Sequence, residues 1–301
     1  MMTSPQSTAG YTQVEVPDEP GHPDFPMVVM YPASAPERPE RMGAFTLEVA
    51  SKAEPRPGRF PLALISHGSG GSHLAYRTLG RHLARHGFIV GMPQHPHNNR
   101  VDNSLEGRIE NLLNRPRHLK ATIDWFFANE AFAKNLQPDA VSVIGHSMGG
   151  YAALALAGGV PTSLPHESKD REPHLLTQVA HDRRVRALVL LAPATAWFWQ
   201  PGALGAVDLP ILMMVGDRDF HTPADYHTRP VLAGVADPAR VTCRVIGNAG
   251  HFSFLSEFPE SMRHPGFAPS QDPAGFDRSR FLDEMNAEVL AFLQRASAGM
   301  R

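Results

Sequence analysis

A serine hydroxyl becomes a useful nucleophile only when a base takes its proton and donors stabilise the oxyanion it creates. Gly145-His146-Ser147-Met148-Gly149-Gly150 offers such a serine. It follows the apolar run 140–144 and precedes a helical pattern over 148–156. Ser147 therefore falls on a strand-to-helix turn, which the small residues on either side permit. His67-Gly68-Ser69-Gly70-Gly71 closes an earlier apolar run, and its glycines let backbone come close to a reacting carbonyl. The N–H groups of Ser69 and Met148 are the expected oxyanion donors.

The acid and the base must come from later loops. Ile211-Leu212-Met213-Met214-Val215 leads into Gly216-Asp217-Arg218-Asp219, where two carboxylates compete; Asp219, the one expected to turn inward, is preferred to Asp217. Leu191-Ala192-Pro193-Ala194-Thr195, at the end of the preceding run, offers no carboxylate. Asn248-Ala249-Gly250-His251-Phe252 follows the last apolar run and supplies His251 as base, with Gly250 expected to make the turn. The order Ser147, Asp219, His251 differs from the trypsin and subtilisin orders. A catalytic metal is not expected, because neither H-E-x-x-H nor a Cys/His cluster accompanies the 16 histidines. No cofactor is expected either.

These residues need a scaffold. Runs at 60–66, 88–92, 140–144, 185–191, 211–215 and 241–246 are apolar enough for strands buried on both faces of a parallel sheet. Helical spacing recurs between and after them, at 76–86, 105–129, 148–156 and 276–295. This alternation predicts an α/β fold with a mostly parallel central sheet covered by helices on both faces. Shorter runs at 12–16, 27–31 and 45–49 predict an antiparallel N-terminal edge. Residues 1–11 are expected to be a flexible tail and 12–301 a single domain, with a polar excursion at 158–182. A net charge of −2 and the absence of a Lys/Arg block argue against a nucleic-acid partner. No apolar run reaches the roughly 18 residues that span a bilayer, so membrane insertion is not expected. The single cysteine, Cys243, excludes an intrachain disulfide and is expected to be buried on its strand. With the polar first ten residues it predicts a cytoplasmic protein. Nothing here sets the oligomeric state.

From about residue 60 to 294 the chain resembles the α/β-hydrolases related to platelet-activating-factor acetylhydrolase, especially bacterial serine esterases described as dienelactone-hydrolase-like. The likeness is carried by Phe60-Pro61-Leu62, the stretch Ser66 to Gly71, Leu83-Ala84-Arg85-His86-Gly87-Phe88-Ile89-Val90, Gly145 to Tyr151, Leu191-Ala192-Pro193-Ala194, and Gly250-His251-Phe252-Ser253-Phe254-Leu255. It implies the α/β-hydrolase fold and cofactor-free ester hydrolysis, with Ser69 and Met148 at the oxyanion hole. True dienelactone hydrolases use a cysteine where this chain has Ser147. The run Gly145 to Gly150 is also shared with cutinase-like polyester hydrolases.

The expected partner is a small-molecule ester with a small to medium apolar or aryl group. His95, Trp197, Trp199, Phe220 and Phe252 are candidates to line its pocket, since each sits beside a catalytic position or at a strand end on the same rim. An amidase, peptidase or thioesterase could use the same three residues, and a receptor could keep the scaffold without turnover.

Overall fold

A computed structural model of the chain describes residues 8–298. Ten strands form one sheet: β1 (Thr8–Val16), β2 (Phe25–Ala33), β3 (Arg38–Met42), β4 (Phe45–Ser51), β5 (Phe60–Ser66), β6 (Ile89–Pro93), β7 (Leu136–His146), β8 (Val185–Leu191), β9 (Ile211–Gly216) and β10 (Val241–Ile246). Their spatial order is β10-β9-β8-β7-β5-β6-β2-β1-β4-β3. From β10 to β6 every neighbouring pair is parallel, whereas β2 joins β6 and β1 antiparallel.

The burial of β5 shows why such runs settle as central strands. All seven of its residues are buried. Phe60, Leu62 and Leu64 pack into the core on one face, and Ala63 and Ile65 into the core on the other. A strand with two apolar faces must be covered on both. Helices α2 (Ile109–Ala128) and α3 (Met148–Leu156) cover the first face through Leu112, Leu119, Ile123, Tyr151 and Leu154, joined by Val231 of the short α5 (Arg229–Gly234), which follows α4 (Ala224–His227). Helices α1 (Arg77–Arg85) and α6 (Arg278–Ala298) cover the second through Leu79, Leu83, Phe281, Met285 and Val289.

The edges depart from expectation in three places. Thr8 to Tyr11 pair with β2 as the start of β1, so residues 8–11 are not a tail; residues 1–7 lie outside the described residues. The hairpin strand β3 (Arg-Pro-Glu-Arg-Met) has no apolar alternation to betray it; pairing with β4 makes it a strand. Strand β10 is an outer strand with mostly exposed or half-buried residues, and Cys243 on it is half-buried rather than buried. Among the described residues no helix is long and apolar enough to cross a membrane.

Candidate active site

Strand β7 ends at His146 and α3 begins at Met148, leaving Ser147 alone on the turn with φ 54° and ψ −120°. A non-glycine residue at positive φ is strained and must be held by its surroundings. Three backbone hydrogen bonds do so: the Ser147 N–H donates to Leu191 O, and its carbonyl accepts from Gly150 and Ala194. A Cβ at position 145 would stand 2.2 Å from Gly149 O, and one at 149 only 2.0 Å from Ser66 O. The glycines of the motif are thus demanded by close backbone approach.

The imidazole of His251 comes from the loop after β10. Its Nδ1 is 2.8 Å from Asp219 Oδ2. Asp219 lies in the loop after β9, where its carboxylate also accepts from the N–H groups of His221 and Thr222 and from the Thr222 hydroxyl at 2.6 Å. Burial would raise this carboxyl, but the bond and charge of His251 and the bonds from Thr222 outweigh it and hold the group well below the usual carboxylate range. Asp217 is exposed and does not reach His251. The turn that delivers His251 is made at Asn248, with φ 57°, whereas Gly250 is extended at φ −94° and ψ 178°. Glycine at 250 is therefore not needed for the turn, contrary to the sequence reading.

The loop after β5 passes directly over the serine. A Cβ added to Gly68 would lie 3.1 Å from Ser147 Cβ, so glycine there sets the closest approach. Ser69 and Ser147 line one cavity of about 360 Å³. Met148 is the first residue of α3, so its N–H has no partner within the helix. Its side chain is buried in the core and leaves only this N–H for the site.

The cavity holds His251 and Ser147 against an apolar wall of Phe45, Ala75, Tyr76, Phe258 and Phe267. Of the five predicted pocket residues only Phe252 lines the cavity. His95 is wholly buried and does not line the cavity, with Nε2 2.8 Å from Ser66 Oγ. Trp197 donates its indole N–H to Glu167 and packs edge-on to Tyr151. Trp199 packs on Tyr226, and Phe220 is 86% exposed. These four stand at the correct rim of the sheet by sequence but point elsewhere. The excursion at 158–182 contributes no wall residue either; Glu167 ties it to the loop after β8.

A ferulic acid esterase from Streptomyces cinnamoneus superposes with a TM-score of 0.68 over 98% of this chain and 91% of its own, at 18% identity. The chain has the α/β-hydrolase fold. A family model described as chlorophyllase matches residues 45–166. A cutinase of Thermobifida alba is 23% identical over 224 residues, 72% of this chain and 62% of that relative. Cutinase 2 of Thermobifida cellulosilytica is 24% identical over 220 residues, with 72% and 70% covered. The chain thus spans under two thirds of the length of the first of these relatives.

Several residues around this cavity escaped sequence reasoning. His146, inside the serine motif itself, places Nε2 2.9 Å from the backbone carbonyl of His251. Burial pushes its imidazole down to about 3, so it is a neutral donor. Thr222 braces Asp219, and Arg115 of α2 reaches the backbone of the loop after β5. A Thr three residues after an Asp is a weak signal, and an Arg within a helix is none. Among the described residues no group of three or more His, Cys, Asp or Glu could hold a metal.

Proposed function

We propose that this chain is a serine-dependent carboxylic ester hydrolase, working through an acyl-enzyme on small to medium apolar or aryl esters. The observation that carries the reading is the Asp219–His251 bond of 2.8 Å set in the same cavity as the strained Ser147. His251 takes the Ser147 proton as Oγ bonds to the ester carbonyl carbon, and the carbonyl oxygen becomes an oxyanion facing the N–H groups of Ser69 and Met148. Collapse breaks the bond to the alcohol oxygen, which leaves with the proton from His251. Water then adds to the acyl-serine by the same route and frees the acid. Asp219 keeps the imidazole oriented and offsets its positive charge.

The apolar wall supports an acyl or aryl group of modest size, and the ferulic acid esterase and cutinase relatives point to ester chemistry. The test is turnover of p-nitrophenyl esters with fluorophosphonate labelling of purified protein. Both are expected in the wild type and absent in Ser147→Ala; full turnover by Ser147→Ala would refute the assignment. A polyester is the second reading, favoured by the cutinases among the relatives. Release of soluble acids from a polyester film at a rate matching that on p-nitrophenyl butyrate would move the conclusion to it.

A further inference from the structure

Arg115 is the largest fully buried side chain among the described residues. A guanidinium withdrawn from water is normally paired with a carboxylate, because its desolvation is costly. Here every hydrogen bond goes to a neutral oxygen: Asn98 Oδ1 at 2.7 Å, Asn98 O at 3.3 Å, His67 O at 2.6 Å and Gly68 O at 3.1 Å. Among the described residues no carboxylate pairs with it. Burial draws the group down to about 9, which leaves it charged at neutral pH. A buried, uncompensated positive charge has thus been placed directly behind the loop that follows β5.

What it touches there decides its use. The Gly68 carbonyl belongs to the same peptide unit as the Ser69 N–H. No peptide bond among the described residues is cis, so carbonyl and N–H point in opposite directions. The Gly68 oxygen takes Arg115 Nη2, His67 Nδ1 at 2.8 Å and the Gly71 N–H at 3.1 Å. Three donors on one side of the unit turn its N–H to the opposite side, and Ser69 lines the cavity that it shares with Ser147. His67 acts as a donor here because its Nε2 accepts from the His95 N–H, and burial with the charge of Arg115 holds it neutral. Only Arg115 brings a charge.

We propose that Arg115 is a positioning residue for oxyanion stabilisation, orienting and polarising the Gly68–Ser69 peptide through its carbonyl. Its positive charge finds a counter-charge only when the tetrahedral oxyanion forms, so it favours the transition state over the neutral ester. The proposal rests on the ester-hydrolase reading above.

Asn98→Asp tests it with little change of outline, and Asn98→Leu, which loses the same Nδ2 bonds to Ser69 Oγ and Asn103 Oδ1 without adding a charge, is its control and should lose clearly less kcat. The new carboxylate would meet the Arg115 Nε–H where the Asn98 oxygen now accepts it, and would cancel the charge. The kcat on p-nitrophenyl butyrate should fall about tenfold or more, with KM within about threefold, and the affinity of an aryl trifluoromethyl ketone should fall in step with kcat/KM. The buried cation gains its pair while the Asn98 Nδ2 bonds to Ser69 Oγ and Asn103 Oδ1 are lost, so Tm should stay within a few degrees of wild type. Arg115→Met should lower kcat about tenfold to a hundredfold and Arg115→Lys should restore part of it. Fluorophosphonate labelling of the wild type, lost in Ser147→Ala, checks the parent reading separately. With that labelling in place, a folded Asn98→Asp or Arg115→Met whose kcat stays within about threefold of wild type overturns the proposal. So does a loss that follows Tm and weakens ketone and substrate binding equally.

Discussion

His146 Nε2 donates to the backbone carbonyl of His251 across 2.9 Å, so the residue before Ser147 holds the loop that carries the His251 imidazole. The bond ties two separate strand ends together and fixes where the imidazole stands relative to Ser147. His146→Leu removes the anchor and also removes a buried Nδ1 that has no partner. Tm should therefore change little, while kcat falls about tenfold to a hundredfold, as expected when a reacting group loses its position. A thermal melt beside ester kinetics checks this; unchanged kcat would show that His251 needs no such tether.

The choice between two neighbouring carboxylates has an equally direct test. Asp219→Asn keeps the shape but supplies no charge to the imidazole, and kcat should drop on the order of 10⁴-fold. Asp217→Asn, at an exposed position, should stay within about twofold. Equal losses in the two variants would contradict the geometry.

The candidate residues stood out in the sequence because nucleophile, acid and base chemistry favours strand ends and glycine-rich turns, and the structure sets Ser147 and His251 on one cavity with Asp219 bonded to His251. Motifs alone singled out Ser147, Asp219 and His251 as candidates, and Gly145 and Gly149 are glycine for a reason that sequence alone hints at. The central strands were equally plain, since β5 and β8 bury residues on both faces and must be apolar. What could not be read is direction. Trp197, Trp199 and Phe220 follow the right strands, yet nothing local says whether a loop side chain turns into the cavity or out. Conversely, Phe258 and Phe267 enter from a segment with no strand or helix pattern, and Tyr76 and Phe45 come from elements distant in sequence. Strand β3 was missed because its pairing is a property of β4, not of its own residues.

The wall of the cavity sets a prediction about substrate size. Ala75 is a small residue among the larger Tyr76, Phe258 and Phe267 that line the cavity, so enlarging it takes up space open to an acyl group. Ala75→Phe should lower kcat/KM for p-nitrophenyl butyrate about tenfold and spare the acetate, because each methylene in a matched apolar pocket is worth roughly 1–3 kcal/mol. Trp199→Ala should alter neither. Loss of butyrate activity in Trp199→Ala with none in Ala75→Phe would place the acyl group on the other side of Ser147.

The buried histidines predict how stability follows pH. Burial draws His73 and His118 down to about 4 and His146 to about 3, against an ordinary 6.5. For His118 the nearby Asp18, 3.5 Å away, opposes this shift without overcoming it. Between pH 6.5 and about 4 the unfolded chain therefore binds protons that the folded chain refuses. Stability rises with pH across that window and is complete above it. Tm should be nearly level from pH 6.5 to 8 and should fall on the order of ten degrees by pH 4.5. His118→Gln cannot take up a proton in either state, so its slope over the same window should be visibly shallower. Differential scanning fluorimetry in a constant-ionic-strength buffer series measures both. A flat wild-type profile, or an unchanged slope in His118→Gln, would mean that these imidazoles are not held neutral by the fold.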